Sequence, residues 1–386
     1  MKFISLAALS AALVTVSACN IDGYINTYFE KPLPGNGGTD ENGSVRRDAV
    51  FMAAVGFEPD YDWQRDSAVG QAPFTISLFR DAEEVLRLDS ESSKWISPDP
   101  DMVHIVDGHL VTESCDGTLT HIGIDGALSL SFEGREKLSG LLLEGNDIYS
   151  LTRLRADKGL RFRLNGELLF KDDEGIPFGN LSDNSYPSGG ALYRDDGGKP
   201  LFCYRRGDEL FCVTDGKARK LESIAECLDL KLDGGKVFSA TRVMSGMSSA
   251  DWRVFILEDG TGLVAGNVLG EKGGSKAWFI REGNQPVELC IGEASLWCDA
   301  AGSVYAAWRD KAGSLTILRE GSEPETLGKD CALISPACAR ASDSGVLLGV
   351  TSIAPEGKSF LYKDGKRLEV NVNGYIAALE WVRGSR

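Results

Sequence analysis

Residues 120–132 read THIGIDGALSLSF, two short apolar strands joined by Asp125-Gly126. Asp-Gly and Asn-Gly accept the positive φ angles of tight turns, so this dipeptide predicts a β-hairpin. The same unit recurs along the chain as RFRLNGELLF (161–170), LFCVTDGKARKL (210–221), AWFIREGNQPVEL (277–289), LTILREGSEPETL (315–327) and FLYKDGKRLEV (360–370). LFRDAEEVLRL (78–88) resembles a copy that lacks the glycine. The chain is therefore built from repeated hairpins.

A further strand precedes most of these hairpins, so each repeat holds at least three strands. The turn glycines at 126, 166, 216, 283, 321 and 365 are 40, 50, 67, 38 and 44 residues apart. One blade of a β-propeller takes about 40–50 residues. The 67-residue interval contains VFILEDGTGLVAGNV (254–268), either an extra hairpin or part of a compressed blade. The spacing predicts an all-β propeller of seven blades, with six or eight as alternatives.

Two further features favour a propeller. Several strands are almost continuously apolar, as in GVLLGVTS (345–352), which suits a sheet covered on both faces by neighbouring blades. The last strand, GYIAALEWV (374–382), has no hairpin partner after it. We expect it to pair with the first blade near residues 48–56 and to close the ring, because an open ring leaves unpaired sheet edges.

The N-terminus has the layout of an export signal. Residues 1–18 place Lys2 before an apolar run of about fourteen residues, and on the order of twenty are needed to cross a bilayer as a helix. Ser17 and Ala18, directly before Cys19, resemble the lipobox of bacterial lipoproteins. The resemblance implies cleavage before Cys19 and lipidation of its sulfur, so that acyl chains hold the protein at a membrane. The alternative is an ordinary secretory leader that ends beside a cysteine.

Residues 19–44 form the expected lipidated N-terminus and a flexible linker, since KPLPGNGGTDENGS (31–44) has almost no side chain to bury. The propeller domain is expected over residues 45–386. In its lipobox, linker and repeat spacing, the chain resembles secreted β-propeller lipoproteins of Bacteroidetes. The resemblance implies an outer-membrane lipoprotein of the cell envelope, in either the periplasmic or the surface-exposed leaflet. The resemblance does not indicate a catalytic or binding activity, because one fold serves many functions.

The net charge limits the classes of partner, and the predicted export bears on whether the cysteines form disulfides. The formal net charge of −16, without a long basic cluster, argues against nucleic acid as a partner. Export to an oxidising compartment would permit disulfides. A two-residue loop at Gly207-Asp208 would place Cys203 opposite Cys212 on paired strands, where they form either a cross-strand disulfide or two buried apolar positions.

No motif predicts catalysis, a metal or a cofactor. His104, His109 and His121 lie in one predicted blade, but His104 and His109 have opposite parity along an extended chain and should face different sides unless a turn at Asp107-Gly108 intervenes. Acidic pairs such as Asp172-Asp173 adjoin turn glycines, where solvated aspartate is expected. We therefore predict no catalytic residue, no metal ligand and no cofactor.

Two long polar loops, residues 58–72 and 172–190, are the best candidates for a binding site, since binding residues concentrate on loops held by a rigid scaffold. Aromatic rings can stack on a sugar or peptide while acids and amides bond to it. The predicted ligand-binding residues are Tyr61, Trp63, Asp183, Asn184 and Tyr186. The expected function is a membrane-anchored binding or scaffold propeller for a glycan, a peptide or a partner protein. The alternative is a polysaccharide hydrolase or lyase on the same scaffold.

Overall fold

The computed structural model describes residues 49–58, 61–64, 72–134, 136–154, 159–177, 192–194, 199–206, 209–221, 249–256, 262–269, 275–281, 287–291, 294–298, 303–341, 346–354, 358–363, 365–370 and 373–382. These ranges hold thirty β-strands and two short 3-10 helices, Pro100–Met102 and Pro336–Cys338. No helix within them is long and apolar enough to span a bilayer. The predicted leader and linker lie outside the described residues.

The strands form seven antiparallel sheets, and each sheet is one blade. Blade 1 holds β1 (Ala49–Phe57), β2 (Phe74–Arg80), β3 (Glu83–Asp89) and the last strand of the chain, β30 (Gly374–Val382). Blade 2 holds β4 (Val103–Val106), β5 (His109–Cys115), β6 (Leu119–Ile124) and β7 (Ala127–Glu133). Blade 3 holds β8 (Glu136–Glu144), β9 (Asp147–Leu154), β10 (Leu160–Leu164) and β11 (Glu167–Asp172).

Blade 4 holds β12 (Ile176–Pro177), β13 (Leu192–Arg194), β14 (Pro200–Arg206), β15 (Glu209–Thr214) and β16 (Lys217–Leu221). Blade 5 holds β17 (Ser249–Ile256), β18 (Gly262–Leu269), β19 (Ser275–Arg281) and β20 (Val287–Ile291). Blade 6 holds β21 (Ser295–Cys298), β22 (Val304–Arg309), β23 (Ser314–Arg319) and β24 (Glu325–Lys329). Blade 7 holds β25 (Cys331–Ala332), β26 (Ala339–Ala341), β27 (Val346–Ser352), β28 (Ser359–Lys363) and β29 (Lys366–Val370).

The fold is thus a seven-bladed β-propeller, as the spacing of turn glycines predicts. The ambiguous segment 254–268 contributes to β17 and β18, the first two strands of an ordinary four-stranded blade. It adds no eighth blade. The predicted closure is also confirmed, because β30 pairs with β1 from Ala49↔Val382 to Gly56↔Gly374.

The first strands of the blades surround the axis, and the fourth strands form the outer rim. First strands of neighbouring blades contact one another, as β30 does with β4 and β4 with β8. Most residues of β30 are buried, whereas β3 and β11 are largely exposed. The apolar clusters lie between blades, for example between blades 2 and 3 around Val111, Ile122, Leu130 and Leu141. Blade-to-blade packing therefore supplies the core.

The Asp or Asn at the first position of the outer turns has two roles. Asp125 and Asn165 adopt φ angles of 49° and 51°, which these residues tolerate better than most. Their side chains also accept the backbone N–H of the second strand, at 2.9 Å from Leu110 and 2.8 Å from Ile148. The turn residue thereby ties the outer hairpin to the strand beside it.

The outer strands share one irregularity that the sequence does not reveal. In five blades the register between the third and fourth strands shifts by one residue, which marks a β-bulge. The extra residue is the third of its strand each time: Val85, Ser129, Leu169, Leu289 and Leu327. Bulges twist an exposed edge and discourage pairing with another chain.

Candidate functional site at the upper end of the ring

Strand direction puts the loop after β1 and the first residues of the second predicted loop at one end of the ring; β12 (Ile176–Pro177) interrupts the second loop, and residues 178–190 lie outside the described residues. Strands alternate in direction within each blade, so the second and fourth strands of every blade finish at the same end, which we call the upper end. Residues 58–73 follow β1, the second strand of blade 1, and residues 173–175 follow β11, the fourth strand of blade 3. Both loops therefore start from the upper end, together with residues 90–102 and 116–118 of blades 1 and 2.

The loop after β1 is folded onto the blade. Tyr61 stacks on Phe57, with ring centroids 6.1 Å apart and planes 12° from parallel. Trp63 is only 6% exposed and packs against Tyr375 of β30 at 6.5 Å. The indole of Trp63 thus belongs to the apolar core between blades 1 and 2, while Asp62 between the two rings is exposed.

The other predicted residues cannot be placed in this way. Asp183, Asn184 and Tyr186 lie outside the described residues, as does Cys19. The structure therefore brings Tyr61 and Trp63 together on one loop, and their part in binding stays a prediction.

Two carboxylates lie at the 3-10 helix before β4, which contacts β30. Asp99 caps the 3-10 helix Pro100–Met102 by accepting the N–H of Asp101 at 3.0 Å, and Asp101 pairs with Lys137 of blade 3 at 3.1 Å. Burial raises the pKa of Tyr375 well above its usual value, and the charges of Asp99 and Asp101 raise it further. The loop after β1, through Trp63, and the 3-10 helix before β4 thus both contact β30.

A hydroxyl, an imidazole and a carboxylate are linked on the blade 1 side of blade 2. Ser131 Oγ lies 2.9 Å from His121 Nδ1, and Asp116 Oδ2 lies 3.3 Å from His121 Nε2. The ring of Trp95 covers the imidazole at 4.4 Å. His121 is buried, whereas Ser131 and Asp116 are exposed.

The carboxyl of Asp116 is held in its charged form. The N–H groups of Leu119 and Thr118 bond to Oδ1, and with His121 they lower the pKa of Asp116 to about 2. If Nε2 carries the imidazole proton, it donates to Asp116, and Nδ1 is left to accept the hydroxyl proton of Ser131. The order of groups is that of a Ser-His-Asp relay, with the two ring nitrogens exchanged relative to the usual arrangement.

Sequence reasoning singled out His121 but missed Ser131 and Asp116. A two-residue turn that closes on Ile124↔Ala127 would place Leu130, not Ser131, opposite His121. The bulge at Ser129 shifts the register by one and gives His121↔Ser131. Nothing in the sequence marks this bulge.

Other buried charges at the blade 2–3 interface are used in structural pairing. Nε2 of His104 contacts Oε1 of Glu113 at 2.8 Å, and Oε2 of Glu113 accepts the N–H of Leu138 in blade 3 at 2.9 Å. In blade 3, Glu136 accepts two N–H groups of Arg163, each at 2.8 Å. These carboxylates hold strands and blades together.

The three histidines have different surroundings, although the turn at Asp107-Gly108 places His104 and His109 on the same face of the sheet, so the parity along an extended chain does not apply to them. His104 faces blade 3, His121 faces blade 1, and His109 is exposed beside Asp125 at 2.6 Å. In the part of the chain that the structure describes, no group of three or more His, Cys, Asp and Glu residues could hold a metal ion.

No family model matches this chain, and no curated protein matches it. Solved structures with a distant likeness to this chain include the following three. A dihydro-heme d1 dehydrogenase, NirN, in complex with DHE is 11% identical with a TM-score of 0.42, covering 79% of this chain and 72% of its own. A puromycin-hydrolyzing peptidase of Mycobacterium tuberculosis is 10% identical with a TM-score of 0.40, covering 93% of this chain and 56% of its own. AofleA from Arthrobotrys oligospora is 11% identical with a TM-score of 0.29, covering 91% and 96%.

This chain therefore spans little more than half of that peptidase chain. Likenesses at this level carry no inference about function. The seven four- and five-stranded sheets and their closure identify the fold.

Proposed function

We propose that the protein is a membrane-anchored extracytoplasmic propeller that binds a ligand at the upper end of its ring. One observation carries the proposal: the loop after β1, which the sequence predicts as a binding loop, is held in place by the contact of Trp63 with Tyr375. A loop fixed by a buried anchor presents its neighbouring side chains in one arrangement, which reduces the entropy lost on binding.

The chemistry of the upper end favours a ligand rich in hydroxyl or cationic groups. Tyr61 and Trp95 are half-buried rings, while Asp62, Asp99 and Asp116 are exposed carboxylates. Aromatic faces stack on sugars, and carboxylates accept strong hydrogen bonds from hydroxyl and ammonium groups. We therefore take a glycan as the first candidate ligand, with a basic peptide or a partner protein next.

Tyr61→Ala tests the site without removing its anchor. Trp63→Ala is a poor probe, because truncating a buried Trp costs about 3–5 kcal/mol and would confuse lost binding with lost folding. Glycan-array and pull-down profiles of the wild type, Tyr61→Ala and Tyr61→Ala/Tyr186→Ala are compared, with Val85→Ala on the outer rim as the control. We expect the Tyr61 variants to lose signals that the control keeps. Identical profiles would remove this loop as the site.

A hydrolase is the second candidate function, and the Ser131–His121–Asp116 relay favours it. Such a relay serves acyl transfer: the Ser131 oxygen attacks an ester carbonyl, its proton passes to His121, and the alcohol leaves with that proton. A polysaccharide that carries acyl groups would join this chemistry to the glycan site. Labelling by a fluorophosphonate probe that Ser131→Ala abolishes would support it. The absence of labelling in a folded wild type would reject it.

A further inference from the structure

Cys203 and Cys212 occupy directly opposite positions on β14 and β15. The pairing runs without a shift from Leu201↔Thr214 to Arg206↔Glu209, so a two-residue connection joins the strands, as the sequence predicts. Both side chains are buried, at 6% and 2% exposure, and the two thiols are hydrogen-bonded to each other. No disulfide joins these two cysteines in the structure.

The position within the ladder suits a covalent bond. The turn at Asp215-Gly216, with φ angles of 51° and 69°, closes the hairpin of β15 and β16 on the pair Thr214↔Lys217. A two-residue hairpin closes on a hydrogen-bonded pair, and bonding then alternates along β15. Cys212 therefore directs its N–H and C=O towards β16, so its pair with Cys203 is non-hydrogen-bonded.

In such a pair the Cα atoms are about 4.5 Å apart and the side chains are at their closest. A disulfide requires a Cα separation of about 4.4–6.8 Å. The separation expected for this pair therefore lies within the range that a disulfide spans.

We propose that Cys203 and Cys212 are joined by a cross-strand disulfide in the mature, exported protein. The inference rests on the proposed export for its oxidising surroundings and on the strand pairing for its geometry. The oxidant is a disulfide donor, either an oxidised dithiol oxidoreductase or a small-molecule disulfide. One protein thiolate attacks the donor, and the second displaces it. The protein gains one S–S bond, and the donor leaves as two thiols with the two protons.

The bond should form before blade 4 is fully packed. The neighbouring Cys203 thiol and burial together raise the pKa of Cys212 far above its usual value, and the thiolate is the reactive form. Oxidation of the folded blade is therefore slow. A freshly folding hairpin, in which the pair is still solvated, meets the donor readily.

Two other cysteines provide an internal control. Cys338 donates its thiol to the carbonyl of Ile376 at 2.9 Å, and Cys331 donates to the carbonyl of Lys329 at 3.4 Å. These sulfurs are engaged with different strands. Although they are close in sequence, we expect both to remain thiols.

The test uses the full chain with its own leader, recovered from the membrane fraction of the cell envelope. After an acid quench, free thiols are blocked with N-ethylmaleimide in denaturant at neutral pH, and the protein is digested with trypsin without reduction. Cleavage after Arg205 and Arg206 places Cys203 in residues 195–205 and Cys212 in residues 207–217, since the Lys199-Pro200 bond resists trypsin. We expect these peptides as one disulfide-linked species, with Cys331 and Cys338 alkylated. Alkylated Cys203 and Cys212 would overturn the inference.

A second experiment distinguishes a failure of the strand-pairing geometry from a failure of export. The chain without its leader is purified reduced, unfolded and refolded in a glutathione redox buffer, and the same peptides are measured. If the two peptides are linked in the refolded protein but not in the protein from cells, the disulfide in the mature protein is overturned. If the protein from cells also keeps its leader, the failure lies in export. A processed, anchored protein with both thiols alkylated would overturn the disulfide and leave the proposed location standing. Linkage in neither sample would overturn the geometric reasoning itself.

Discussion

At the residue scale, the outer turns show how one side chain can serve both conformation and pairing. Asp81 opens the turn of blade 1 with a φ of 48°, and its carboxylate accepts the N–H of Val50 at 2.8 Å, like Asp125 and Asn165 in blades 2 and 3. The next position differs, because Ala82 stands where the other turns have glycine, at a φ of 80°. A side chain in this left-handed region costs about 1–2 kcal/mol.

Ala82→Gly should therefore stabilise the protein. We expect the free energy of unfolding to rise by about 0.5–1 kcal/mol, since relief of the left-handed strain exceeds the extra entropy of the unfolded chain. The midpoint of urea unfolding measures the change. Ala127→Gly, in the extended strand β7 just after a turn, is the matched control and should lower stability by a similar amount. A lower midpoint for Ala82→Gly would contradict the prediction.

Glu380 on the closing strand should make the free energy of unfolding depend on pH. Its two carboxylate oxygens accept the N–H groups of Asp107 at 3.0 Å and Gly108 at 2.7 Å, yet burial raises its pKa above the ordinary 4.5. A carboxyl whose pKa is raised by folding contributes stability that is fully present below the unfolded pKa. That contribution is lost as the pH rises through the folded pKa.

Glu380→Gln removes this titration. We expect the free energy of unfolding of the wild type, measured relative to the Gln variant, to fall as the pH is raised from about 4 to about 8. Urea unfolding of both proteins across this range provides the measurement. Parallel curves would show that the carboxyl does not change its pKa on folding.

At the scale of elements, the ring is closed by one strand and its outer edges are interrupted by bulges. β30 supplies the first strand of blade 1 and pairs along the whole of β1. Its bulged Ala377 offers a carbonyl to Ser335 at 2.9 Å, which ties the closing strand to blade 7. Removal of β30 would expose the inner edge of β1 and the apolar faces of two neighbouring blades.

Deletion of the chain from Gly374 onward should thus lower the melting temperature clearly and promote aggregation, because unpaired edges and apolar faces are exposed together. Differential scanning calorimetry and light scattering measure the two effects. Truncation after Val382 keeps β30 and is the control, for which we expect little change. An unchanged melting curve for the longer deletion would contradict closure by β30.

At the scale of the whole molecule, the predicted export signal and the propeller lie in separate parts of the chain. The predicted lipobox and linker precede the propeller, which contributes no membrane-spanning helix among its described residues. If acyl chains on Cys19 are the anchor, attachment is independent of the blades. Two or more acyl chains give stable attachment, whereas one gives only marginal binding.

Cys19→Ala should release the protein from membranes without changing the propeller. In a Triton X-114 partition, we expect the wild type in the detergent phase and the variant in the aqueous phase. The urea unfolding midpoints of the two proteins should agree. Recovery of the variant in the detergent phase would contradict lipid anchoring at this residue.

The repeated hairpin could be predicted from the sequence, because the turn residues that mark it act locally. Asp-Gly and Asn-Gly turns depend on the φ preferences of single residues, and their spacing indicated seven blades. The facing of Cys203 and Cys212 could be predicted for the same reason, since their hairpin contains no bulge. The closing strand followed from a simple count, as one strand lacked a partner.

The upper end of the ring was decided only by tertiary structure. Trp63 stands in a polar loop, yet it is buried because Tyr375, more than three hundred residues later, lies beside it. Ser131 faces His121 only because of the bulge at Ser129, and a shift of one residue moves a side chain to the other face of the sheet. Bulges are frequent at sheet edges, and the bulged positions of this chain hold Val, Ser and Leu, with no residue type in common. Local preferences thus determined the hairpins and their number, while contacts between distant segments decided which side chains share a site.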